Sequence, residues 1–178
     1  MGNYKLLSSK KVYTNPWIRV REDKVVRPGG REGIFGVVEM KAGSTVIALN
    51  SKKEAYLIKE YKYAIERDSI ELMSGGIDEK ETPLEAAKRE LKEETCLVAG
   101  ELIELGVVDP FTTIIKSPNY MFLALDARKG EQFLEEGERV QVIKFPFEKV
   151  IEMVMNSEIT HSASCVCILK AAHYLEKK

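Results

Sequence analysis

The chain of 178 residues is 44% hydrophobic and 31% charged, which supports a buried core and excludes a disordered chain. Its 27 basic and 28 acidic residues leave a net charge of −1, so there is no overall basic field to hold nucleic acid. Apolar runs such as 46–49 and 121–125 fall well short of the roughly 20 residues of a membrane span, and cysteines 96, 165 and 167 lack metal-ligand spacing, which predicts reduced thiols and a cytoplasmic protein.

In chain order, residues 17–21 predict a strand, 27–32 its turn and 34–38 the return strand. So small a β unit buries little surface alone. Residues 1–42 are therefore expected to pack on the rest of the chain or on a second copy, with 43–178 as the main domain. Residues 45–49 and 55–61 predict more apolar strands, and 62–76 reads as a long loop ending in Gly75-Gly76. A helix start follows: Thr82 as N-cap, Pro83 at the first helical position and Glu85 completing a capping box. Leu84, Ala87 and Leu91 recur at helical spacing and predict its buried stripe. Strands are expected at 104–108, 119–125 and 139–145, and closing helices at 147–156 and 160–175. Strands outnumber helices without alternating strictly, which predicts a mixed-sheet α/β sandwich.

The chemistry lies between Gly75 and Leu97. At about 100° per residue, Glu90 and Glu94 stand about 40° apart at the edge of the apolar stripe. Carboxylates at i and i+4 repel, yet several oxygens beside a core stripe suit a hard divalent cation. A solvated charged face is the other reading, because Lys88, Arg89 and Lys92 interleave with the glutamates.

The segment Gly75, Glu81, Arg89, Glu90, Leu91, Glu93, Glu94, Leu97 resembles the Nudix box, with Cys96 where glycine is usual. The resemblance implies a Nudix fold, a mixed β-sheet between helices, and pyrophosphate hydrolysis with Mg2+, for which Mn2+ can substitute. It further implies that Glu90 and Glu94 are the main metal ligands, with Glu93 supporting them and the Ser74 carbonyl joining them. Arg89 would orient the carboxylates, and Glu81 belongs to the same network. Glycine at position 96 would end the helix in the left-handed region, where a Cβ costs about 1–2 kcal/mol.

Residues 57–63 and 69–78 are similar to the ADP-ribose (ADP-sugar) pyrophosphatase branch. That similarity implies a nucleoside diphosphate sugar substrate and a homodimer joined through the N-terminal strands. Trp17 and Phe35 would stack on adenine, or else fill the subunit interface. Lys62 stands where a phosphate-contacting arginine is usual, with Arg67 able to compensate, and Glu71 and Gly75 adjoin the substrate. Glu138, flanked by Glu135 and Glu136, is the expected general base, with Glu93 the alternative. Two rival readings stay open: the same chemistry on another nucleotide sugar such as GDP-mannose, and a non-catalytic nucleotide-sugar-binding module.

Overall fold

A computed structural model describes residues 3–130 and 140–178. The elements are β1 (Lys5–Thr14), β2 (Ile18–Val26), β3 (Glu32–Met40), β4 (Gly43–Leu49), β5 (Glu54–Lys62), β6 (Arg67–Glu71) and β7 (Met73–Gly76). Then come α1 (Pro83–Thr95), β8 (Leu97–Val98), β9 (Glu101–Val108), β10 (Ile115–Lys116) and β11 (Asn119–Leu125). The chain closes with β12 (Arg128–Lys129), β13 (Gln141–Pro146), α2 (Phe147–Met155) and α3 (Ser162–Glu176). Among the described residues no helix is long and apolar enough to cross a membrane.

The chain divides into two compact units. The first, Met1–Ala42 with Asp109–Pro118, is a four-stranded sheet in the order β1-β2-β3-β10. Asn15 turns the chain from β1 into β2, its Oδ1 accepting the N–H groups of Trp17 (2.9 Å) and Ile18 (2.7 Å). Strand β1 is exposed along its whole length in this chain. It lacks the apolar alternation that betrays a strand, and its long antiparallel register with β2 is what makes it one.

The second unit, Gly43–Val108 with Asn119–Lys178, carries the order β13-β5-β4-β11-β9, with β6 added to β5 and β7 to β4. Strand β4 shows the period-two logic of a doubly covered sheet. Ile47 and Leu49 join the core beneath α2 and α3, while Val46 and Ala48 join Ala87 and Leu91 of α1. The result is the helix–sheet–helix sandwich the sequence predicts.

Two details differ from expectation. Residues 62–76 are not one loop: a single 3-10 turn at Tyr63–Ile65 leads into β6 and β7. Their short, polar, Gly-rich text carries no strand signal, and pairing with β5 and β4 imposes the extended form. The buried face of α1 is Ala86, Ala87, Glu90 and Leu91, whereas Leu84 is exposed. Glu90, which the helical spacing sets at the edge of the stripe, is itself buried.

Candidate active site

The box begins at β7 and continues through a turn into α1. Thr82 Oγ1 accepts the Glu85 N–H (3.3 Å), and Glu85 Oε2 accepts the Thr82 N–H (2.8 Å), so the predicted capping box sets where the helix starts. From that start, Glu90 falls against β7. It is 8% exposed, and a Cβ built on Gly75 would stand 1.9 Å from its Oε1. Residue 75 must therefore be glycine for Glu90 to lie where it does.

Arg89 is the hub. Its Nε and Nη2 donate to the two oxygens of Glu81, both at 2.9 Å, and Nη2 also donates to the Gly76 carbonyl at 2.9 Å. Nη1 donates to Glu90 Oε1 (2.6 Å) and Glu93 Oε2 (3.0 Å). Hydrogen bonds to Glu81 head the causes that hold the guanidinium pKa well above its ordinary value, and the same bonds hold Glu81 below the usual carboxylate range. Glu90 moves the other way: burial raises its pKa despite the Arg89 contact. On the far side of the helix turn, Glu94 Oε2 accepts the Ser74 N–H (3.1 Å), and Ser74 Oγ shares a hydrogen bond with Thr45 Oγ1 (2.7 Å).

One guanidinium is thus shared among three carboxylates, with Glu94 a turn beyond Glu90. Among the described residues no three His, Cys, Asp or Glu side chains stand ready-assembled around a metal position, and Arg89 bonds to oxygens of both Glu90 and Glu93. The donor set nevertheless fits a hard divalent cation. It is all oxygen, it carries surplus negative charge, and Glu90 is buried with only part of a counter-charge beside bare backbone at Gly75.

A second polar group lies on β5, β6 and the start of α3. Lys62 Nζ pairs with Glu60 (2.6 Å) and stands 3.9 Å from Glu71, while His161 Nδ1 lies 3.5 Å from the same Glu71 oxygen. Burial is the leading influence on Lys62 and opposes its charge; the bond to Glu60 and the nearby carboxylates outweigh it, and the pKa rises. Arg67 is turned elsewhere, donating to Thr160 Oγ1 (3.2 Å). His161 occupies the N-cap position of α3, but its ring makes no capping bond. Nothing in the local sequence signals its approach to Glu71.

Helix α1 ends at Cys96 in the left-handed region, φ 56°, with its N–H donating to Lys92 O (2.8 Å) and its own carbonyl accepting from Gly130 (2.8 Å). The chain keeps the glycine-type ending and carries the Cβ strain.

In the first unit, Trp17 is 74% exposed and lines a hollow of about 490 Å3 with Arg19, Glu39, Met40 and Lys116. Phe35 is half-buried, its ring edge-on to Tyr4 at 5.2 Å. Phe35 pairs with Asp23, whereas Trp17 precedes Ile18 at the other end of β2; five strand residues span roughly 17 Å. Within one copy the two rings do not face one another. Glu138, Glu135 and Glu136 lie outside the described residues.

Comparison with known proteins bears on this arrangement. A model of the NUDIX domain matches residues 40–162, and one of the nucleoside diphosphate sugar hydrolase N-terminal domain matches residues 4–38. An ADP-ribose pyrophosphatase of Bacillus subtilis (strain 168) is 24% identical over 182 residues, covering 98% of this chain and 93% of its own. A methanol dehydrogenase activator of Bacillus methanolicus is 22% identical over 167 residues, covering 92% and 90%. A crystal structure of an ADP compounds hydrolase superposes with a TM-score of 0.87 at 18% identity, covering 99% of this chain and 96% of that one.

Proposed function

Because the chain belongs to the Nudix domain family and is a hydrolase, we propose that it cleaves the pyrophosphate of a nucleoside diphosphate sugar, ADP-ribose first among them. The products are a nucleoside monophosphate and a sugar phosphate. The observation that carries this reading is the Arg89 hub, which gathers Glu81, Glu90 and Glu93 beside the bare backbone of Gly75 and Gly76. The family match of residues 4–38 supports the diphosphate-sugar class.

In this reading Glu90, Glu94, Glu93 and the Ser74 carbonyl would hold a divalent cation, Mg2+ or Mn2+ in its place. When bound, such a cation neutralises phosphate charge and makes water more acidic. The chain's own residues do the rest. Arg89, anchored bidentately on Glu81, holds Glu90 and Glu93 in place and keeps their charges from driving them apart. Gly75, having no side chain, makes room for the Glu90 carboxylate. Water adds to one phosphorus, the bridging P–O bond breaks, and the proton lost by water passes to a carboxylate base. Glu138 is assigned that role, with Glu93 second.

Lys62 meets a phosphate only by turning from Glu60, and it lacks the two-pronged geometry of arginine, so its grip on the diphosphate is weak. Arg67, on the adjoining strand end, would supply a second cation only by turning from Thr160, and Glu71 steadies Lys62. Trp17 offers an open ring to the base at the edge of a hollow of ligand size. A second ring on the other face would be Phe35 of a second copy, which makes the working form a homodimer.

The test is phosphatase-coupled hydrolysis across ADP-ribose, GDP-mannose and other nucleoside diphosphate sugars with Mg2+, with Glu94→Gln as control. Turnover of ADP-ribose that the control abolishes supports the reading. Binding without turnover in the wild type would turn it toward a ligand-sensing module.

A further inference from the structure

Strand pairing changes partner within the second unit. The β6 register on β5 ends at Ile58↔Glu71, and the β7 register on β4 begins at Val46↔Met73. Leu72 falls between the two registers, fully buried. Its N–H donates instead to Ser164 Oγ at 2.9 Å, a side chain 92 residues away in the first turn of α3 and itself 0% exposed. Ser164 Oγ shares a 2.8 Å hydrogen bond with His161 Nδ1, which stands 3.5 Å from Glu71 Oε2. The start of α3 therefore meets the strand switch at two adjacent residues, with Ser164 accepting the Leu72 amide and the His161 ring standing beside the Glu71 carboxylate. Two residues further on, the Ser74 N–H meets Glu94.

We propose that Ser164, braced by His161, is a positioning residue that fixes the Leu72 amide and so sets where Glu71 and Ser74 stand in the active site. This rests on the reading of Glu71 and Ser74 as site residues. A buried amide that loses its acceptor must move or bear the desolvation cost. The residues on either side of it move with it, and displacements near 1 Å at a reacting site cost about 10²-fold in rate. A staple that merely joined helix to sheet would lower stability and leave turnover per folded molecule unchanged.

The experiment compares Ser164→Ala, His161→Phe and His161→Asn in the full chain. It reads kcat and KM for ADP-ribose with Mg2+, Mn2+ binding by electron paramagnetic resonance, and exchange of the Leu72 amide by NMR. Ser164→Ala is expected to lower kcat/KM at least tenfold, to weaken Mn2+ binding severalfold and to speed Leu72 exchange at least tenfold. His161→Phe acts in the same direction, and His161→Asn, which keeps a hydrogen-bonding group, stays within about threefold of wild type. A lower Tm with unchanged kcat/KM and Mn2+ binding in Ser164→Ala overturns the proposal, as does His161→Asn matching His161→Phe. If Ser164→Ala does not fold, the His161 pair decides on the same terms. A wild type that turns over no diphosphate sugar removes the functional reading alone. Mn2+ binding and Leu72 exchange then decide this proposal, both altered in its favour, either unchanged against it.

Discussion

The Glu90 carboxylate fills the space that a side chain at Gly75 would need, 1.9 Å separating its Oε1 from the nearest position a Cβ could take. Gly75→Ala must therefore expel Glu90 from its seat beside Arg89. Activity is expected to fall 10²-fold or more, while circular dichroism and Tm stay close to wild type, because position 75 is extended strand that alanine also adopts. An active Gly75→Ala enzyme would remove Glu90 from the catalytic site.

The buried Glu90 carboxylate carries a stability cost. Burial raises its folded pKa, so its contribution to stability is fully present below the unfolded pKa and is lost as pH rises through the folded one. Glu90→Gln should therefore melt at or above the wild-type temperature at pH 8, with the advantage shrinking toward pH 4, while kcat falls by orders of magnitude. Thermal melts at the two pH values, with kinetics at pH 8, check both halves. A Gln variant that is less stable at pH 8 contradicts the burial argument.

Cys96 holds φ at 56°, and releasing its Cβ strain recovers about 1–2 kcal/mol. Glycine gives back about 0.4–1 kcal/mol through the freer unfolded chain. The net gain for Cys96→Gly is near 0.5–1 kcal/mol, a rise of about 1–4 °C in Tm by calorimetry, with kcat unchanged because residue 96 contributes no site group.

Trp17→Ala should raise KM for ADP-ribose tenfold or more and leave kcat within about threefold, since base stacking is equal in ground and transition states. Analytical ultracentrifugation of the same variant separates this from an interface role: a monomer with normal KM assigns Trp17 to dimerisation alone.

Positioned base catalysis contributes about 10²–10⁴-fold. Glu138→Gln should cut kcat within that range at nearly constant KM, with Glu135→Gln and Glu136→Gln nearly silent. No loss at any of the three returns the role to Glu93.

The sequence by itself determined helix α1 and the order of its charged groups. A capping box, a proline at the first helical position and carboxylates at i, i+3 and i+4 are local matters, decided within a few residues by backbone hydrogen bonding and helical pitch. Strand β4 and strand β11 were legible too, because burial on both faces writes a continuous apolar run. Only the tertiary structure decided that β6 and β7 are strands, that Leu84 faces outward while Glu90 is buried, and that Ser164 answers the Leu72 amide. Each of these depends on a partner far along the chain, and a polar segment becomes a strand, or a glutamate a core residue, when distant backbone and charge complete what its own neighbours leave unpaired.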